Sequence, residues 1–329
     1  MYHLNDRGKM TIGVAWISGN SESQQLWFAT DSRLSGDGNI WDDCPKIMLL
    51  PRRDAIGAFS GDTAQAYPLM LQCSNAISSY SAASDGTLEF LGVVEHLQLV
   101  MNSMMDHVYP DPRLSGAITT GRPFSSSGDT VVLGGYSRKH ASLVIRALQY
   151  QPGENRWRFE RIRPRVGAGR QRVIRTFGDS RARNRFNYLL VKYLKDNGTH
   201  GQDVPFKLEP LAVMASFLSF PESRTDHQWP MDRRPSTIGG APQVVQLYPG
   251  AQATPVAVHW ETSDTPNVFV MGREIFSYEQ VNVPLITFGP NGVHIHARNN
   301  WPDQIRQQNK NPAQGQKSDH GETVDLTEP

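Results

Sequence analysis

Strand-like and helix-like stretches of this chain come in blocks, and that order limits the architectures open to it. Strand alternation begins at Thr11, where Ile12, Val14 and Trp16 alternate with Gly13, Ala15 and Ile17. A polar turn over 18–24 leads to Leu26-Trp27-Phe28-Ala29-Thr30, and two apolar runs about a polar turn predict a hairpin. A second turn spans 35–39. Strands at 46–50 and 55–60 flank Pro51-Arg52-Arg53-Asp54 and predict another hairpin. After Gly61 the period lengthens: Thr63, Ala66, Tyr67, Met70, Leu71, Ser74 and Ile77 fall at helical spacing, and Asp62 or Thr63 can cap the start. A second helix is predicted from Thr87 to His107, with Met101, Met104 and Met105 read as core filler.

Three strands follow, at 130–136, 142–150 and 156–162, then a short one at 174–177. Gly178-Asp179-Ser180 opens a helix over 181–195, and another is predicted over 209–220. Strands at 244–248 and 255–260 pair about Pro249-Gly250, and further strands fall at 268–270, 285–288 and 293–296. Helices grouped in this way argue against a doubly wound sheet, in which they alternate singly with strands. Two antiparallel sheets packed together, with a helix pair on each outer face, bury all of these elements, so the fold class is α+β.

Composition narrows the partners. Net charge is +1, so no whole-chain field draws nucleic acid or a membrane. Cys44 and Cys73 form no disulfide framework and no CxxC pair. No apolar run approaches the roughly 18–20 residues of a membrane span, and the polar start lacks the apolar core of a secretory signal. A cytoplasmic location is expected. From 299 onward polar residues dominate, which predicts a disordered tail over 299–329.

Four chemically useful groups fall at strand ends: the hydroxyl of Thr11, the carboxylate of Asp31 in Asp31-Ser32-Arg33-Leu34-Ser35, the ammonium of Lys46, and the turn after Phe59-Ser60-Gly61. These motifs, in this order, resemble the proteasome β-subunit branch of the N-terminal nucleophile (Ntn) hydrolases. Val132-Leu133-Gly134-Gly135-Tyr136-Ser137 and Phe177-Gly178-Asp179-Ser180 are similar to later parts of that family. The resemblance covers about residues 10–262. It implies a four-layer αββα sandwich over 11–298, with a family core to about 262, an extension over 263–298, and 1–10 as a leader or propeptide.

The resemblance also implies a threonine peptidase or amidohydrolase without cofactor or metal. Thr11 would be the nucleophile, its freed α-amine the base, Lys46 the neighbouring cation, Asp31 the carboxylate that holds that cation, and the Gly61 N–H the oxyanion donor. Ser35, Phe59 and Thr63 would contact a peptide or amide substrate, with Phe59 at the base of the specificity pocket. Assembly into a homo-oligomer or ring is implied as well. Three departures accompany it. Asp62 stands where the family has a small residue, Met10 stands where precursors have Gly, and the late Asp-x-x-Ser pair is matched only by Asp232 and Ser236, four apart. Either Thr11 becomes the first residue, or the chain is an inactive scaffold or binding relative.

Eleven arginines lie between Arg156 and Arg185. They could form a nucleic-acid face, although arginine alternating on a strand also suits a solvated or subunit surface. Val166-Gly167-Ala168-Gly169 lacks the Lys-Ser/Thr of a phosphate loop. His294 and His296 share a strand face without a third metal ligand nearby. Ser60 does not sit in a G-x-S-x-G elbow.

Overall fold

The structure, a computed structural model, describes residues 11–20, 23–36, 39–108, 129–160, 172–223, 230–261, 266–289 and 292–308. β1 (Ile12–Ser18) pairs antiparallel with β2 (Gln25–Thr30), Gly13 facing Thr30. β3 (Leu34–Gly36) and β4 (Asn39–Trp41) make a small separate hairpin in the region where composition predicts only a turn. β5 (Ile47–Leu49) and β6 (Ala55–Ser60) form the predicted second hairpin. Next come α1 (Thr63–Ser79), the short α2 (Ser81–Ser84) and α3 (Phe90–Met105). α3 begins later than the apolar spacing predicts because Asp85 ties up the Thr87 N–H, and Glu89 caps the helix by accepting from Leu91 N.

The chain continues through β7 (Thr130–Ser137), β8 (Ser142–Gln151), β9 (Arg156–Phe159) and β10 (Ile174–Gly178). α4 (Ser180–Asp196) and α5 (Glu209–Leu218) follow. The last elements are β11 (Gln243–Leu247), β12 (Thr254–Glu261), β13 (Pro266–Val270), β14 (Arg273–Glu274), β15 (Leu285–Gly289), β16 (Gly292–His296) and α6 (Asp303–Gln308). Among the described residues the molecule is therefore α+β, with six helices and two large sheets. One sheet runs β10-β1-β2-β11-β12-β13-β14, with β15 and β16 joined to β12; the other runs β5-β6-β7-β8-β9. Pairing within both is antiparallel except between β12 and β15.

Strand period decides which face each side chain serves. Val14, Trp16 and Trp27 pack with Phe186 and Leu190 of α4 and with Met214 and Phe217 of α5. Their neighbours Ala15, Ile17, Leu26 and Phe28 point the other way, onto Ile56, Ala58, Val132 and Ile145 of the second sheet. That sheet's opposite face carries Phe59, Val131 and Leu133 against Met70, Val94, Leu97 and Met101 of α1 and α3. Each fully buried side chain of this size contributes about 1.5–3 kcal/mol. A fourth cluster joins Ala257, Val268, Ile275 and Leu285 to Trp301 and Ile305. Trp301 and Ile305 are thus buried within the stretch whose composition predicts a disordered tail: two well-spaced apolar residues suffice to seat α6 on a sheet face. The proposed leader 1–10 and the remaining tail 309–329 lie outside the described residues.

Candidate active site

Thr11 lies just ahead of β1 and is 5% exposed. The chain after β10 passes directly behind it, with Asp179 N donating to the Thr11 carbonyl at 2.9 Å. Gly178 makes this approach possible: its φ is +110°, and a Cβ there would lie 1.9 Å from the Thr11 carbonyl oxygen. Asp179 then caps α4 by accepting from Arg181 N and Ala182 N.

The β1–β2 register sets Asp31 beside this start. Asp31 N donates to Ile12 O at 3.1 Å, and Ile12 N donates to Asp31 Oδ1 at 3.1 Å. Asp31 Oδ2 accepts from Gly239 N at 3.3 Å. Lys46, just ahead of β5, sends its Nζ to Asp31 Oδ1 at 2.9 Å and to Thr11 Oγ1 at 3.1 Å. Hydroxyl, ammonium and carboxylate therefore form one buried chain, with the carboxylate wholly covered and the lysine 1% exposed. Burial lowers the Lys46 pKa below its ordinary value, and the attraction of Asp31 opposes this. Burial likewise raises Asp31, against the pull of Lys46 and the two N–H donors. Both directions lean toward the uncharged forms, and the Lys46 nitrogen lies within hydrogen-bond reach of the Thr11 hydroxyl.

Gly61 follows β6, two residues beyond Phe59, whose N–H donates to Lys46 O at 3.1 Å. Its φ is +138°, and a Cβ there would meet Asp129 Oδ1 at 2.2 Å. Asp129 Oδ1 also accepts from Asp62 N at 3.3 Å. A buried carboxylate thus stands behind the turn. Sequence inspection singles out Asp62 for that position. Asp129 ends a Gly/Ser/Thr-rich run 67 residues away, and nothing local marks it.

Of the candidate substrate contacts, Phe59 is 4% exposed and packs edge-on against Tyr67 with ring centroids 5.2 Å apart. Only about 10 Å³ of space remains among Phe59, Ala66, Leu69, Asp129 and Trp157. Ser35 lies on β3 with a buried hydroxyl that has no partner among the described residues. Thr63 is the first residue of α1. Asp232 is exposed, and Ser236 gives its carbonyl to Arg33 Nη1 at 2.6 Å. Arg33 itself bridges Asp42 and Glu222, tying the chain after Asp31 to the segment that leads to Gly239.

Arg161, Arg163, Arg165 and Arg170, and the 166–169 Gly pair, lie outside the described residues. Other arginines of that run are engaged: Arg156 pairs with Asp106, Arg158 with Glu154, Arg175 with Glu160, and Arg172 donates to the carbonyls of Thr199 and Val204. His296 Nε2 faces Thr287 Oγ1 at 3.0 Å. Among the described residues no group of three or more His, Cys, Asp or Glu could hold a metal, and no helix is long and apolar enough to cross a membrane.

No family model matches the chain, and no curated protein matches it. Among solved structures it is similar to a Gly-1 mutant of Anbu from Hyphomicrobium sp. strain MC1, with 16% identity and a TM-score of 0.40, over 74% of this chain and 82% of that one. A likeness so distant assigns neither family nor activity. The resemblance to the proteasome β-subunit branch is accordingly corrected. It rests on short motifs around Thr11, Asp31, Lys46 and Gly61 that no family model registers.

Proposed function

We propose that this chain is a threonine-nucleophile hydrolase of amide or peptide bonds. The observation that carries this is the position of Lys46 Nζ, 3.1 Å from Thr11 Oγ1 and 2.9 Å from Asp31 Oδ1, in a buried setting that depresses the lysine pKa. Thr11 Oγ1 attacks the carbonyl carbon. Its proton passes to Lys46 or, once Thr11 is the first residue, to its own α-amine, and then to the leaving nitrogen as the C–N bond breaks. Water hydrolyses the resulting acyl-Thr11 ester. Gly61 N–H is the proposed oxyanion donor, and Ser35, Thr63 and the closed space at Phe59 the proposed substrate contacts.

The three packing clusters support a four-layer αββα arrangement over 11–298, and we assign 1–10 as the segment removed. Self-association is part of the same proposal. Asp129 favours a second reading, a binding relative without activity, because a carboxylate behind the oxyanion turn repels developing negative charge.

Intact mass and N-terminal sequencing of protein from its native host, with amide hydrolysis by wild type and Thr11→Ala, test the proposal. A chain beginning at Thr11 with hydrolysis lost in Thr11→Ala is expected, a fall of roughly 10³-fold or more. A chain that keeps Met10 and shows equal rates for both proteins would transfer support to the binding relative.

A further inference from the structure

The carboxylate–lysine pair belongs to two sheets. Asp31 follows directly on β2 of the larger sheet, whereas Lys46 leads into β5 of the smaller one. Something must fix the second against the first, because a lysine stem has four rotatable bonds and does not hold its own register. The segment 239–243 does this on both sides. Gly239 N donates to Asp31 Oδ2, Gly239 O accepts from Ser32 N and Arg33 N, and Ser32 Oγ donates to Ala241 O at 2.8 Å. At its far end lies Gln243, wholly buried and nearly 200 residues from Lys46 in sequence.

Gln243 Oε1 accepts from Lys46 N at 2.9 Å and from Ile47 N at 3.2 Å, while Nε2 donates to Cys44 O at 2.5 Å. One side-chain amide therefore replaces the strand partner that the 44–47 main chain lacks on that side. Phe59 N takes the Lys46 carbonyl, so both polar main-chain groups of the lysine are held. The chemistry asks for an amide. An oxygen with two lone pairs must face two N–H groups, and an N–H must face a carbonyl, all out of water. Glutamate keeps the acceptors and loses the donor when ionised, and methionine keeps the volume and loses both.

We propose that Gln243 is the positioning residue for Lys46, carrying its Nζ to Thr11 Oγ1 by clamping the main chain on both sides of it. This deepens the proposed function and rests on its assignment of Lys46 to Thr11. A purely structural clamp would alter stability alone, so the deciding readout is Lys46 itself.

The experiment is NMR titration of protein labelled with ¹³Cε-lysine, the Lys46 signal being identified by its loss in Lys46→Met. Asp31, Cys44 and Arg33 are the charged or titratable groups acting on Lys46, and Gln243→Met leaves all three in place. In folded Gln243→Met the Lys46 midpoint shifts by about one unit, a tenfold change in proton affinity, because its distance to Asp31 and its cover from water both change. Amide hydrolysis falls about 10²-fold in kcat with little change in KM. Gln243→Asn, which keeps an uncharged amide one methylene shorter, recovers part of both, and it decides the matter if Gln243→Met does not fold. An unchanged Lys46 titration in a folded Gln243 variant overturns the inference. If the midpoint moves while wild type hydrolyses no amide, the positioning role stands and the functional reading fails.

Discussion

Lys46 and Arg52 stand at opposite ends of the same β5–β6 hairpin, and both are buried cations with side chains 1% exposed. Their surroundings differ. Arg52 pairs with Asp54 two residues away, and its other Nη1 bonds go to the carbonyls of Ala83 and Leu88. Its donors meet acceptors that cannot react, so it fastens α2 and the segment leading into α3 to the hairpin turn. Its carboxylate partner is 27% exposed and keeps contact with water. Lys46 pairs with a carboxylate wholly removed from water and spends another bond on a hydroxyl. A buried cation saturated by backbone carbonyls is scaffold. One that shares its donors between a dry carboxylate and a hydroxyl fits the proton exchange proposed for Lys46.

The comparison breaks most sharply at Lys46. Lys46→Met should lower amide hydrolysis by about 10²–10⁴-fold, the usual contribution of a positioned base. It should also destabilise the fold by about 3–5 kcal/mol, because Asp31 is left buried without its partner. Adding Asp31→Asn should restore most of that stability and none of the activity, as read by chemical denaturation and steady-state kinetics. Equal activity in Lys46→Met and wild type would remove the distinction between the two cations.

A smaller effect is expected at Arg52. Arg52→Met should cost about 2–3 kcal/mol, since charged donors to Ala83 O and Leu88 O are lost. Hydrolysis per folded molecule should not change, and an active-site titration would measure it. A loss of turnover at full folding would mean that the hairpin transmits strain to Lys46 and that scaffold and site are not separable.

The pH profile sharpens the contrast further. The Lys46 pKa lies below its ordinary value, so its free-amine form grows as pH rises, at lower pH than for an exposed lysine. Hydrolysis should climb with pH through that depressed midpoint and then level off. The charge of Asp31 pulls the midpoint up, so Asp31→Asn should move the rise to lower pH. Rates from acidic through alkaline pH, with wild type and Asp31→Asn in parallel, would check both the limb and its direction. A profile flat through that range would take the proton exchange away from Lys46.

Local pattern in the amino-acid sequence determined much of the scaffold. Alternation set the β1–β2, β5–β6 and β11–β12 pairs, because a period of two puts every other side chain on one face whatever lies beyond. The 3.6-residue period marked α1 and α3 for the same reason, and Gly178-Asp179-Ser180 marked the start of α4. Thr11, Asp31 and Lys46 were visible as chemical groups at strand ends, although only a distant resemblance linked them. Tertiary structure alone decided the rest. The β3–β4 hairpin and α6 are too short to impose a period, and α6 is seated by Trp301 and Ile305 on the fourth cluster. Gly239, Gln243 and Asp129 reach their partners across 67 to more than 200 residues. A buried polar group takes whatever partner the fold brings within 3 Å or so, and sequence separation carries no record of that meeting.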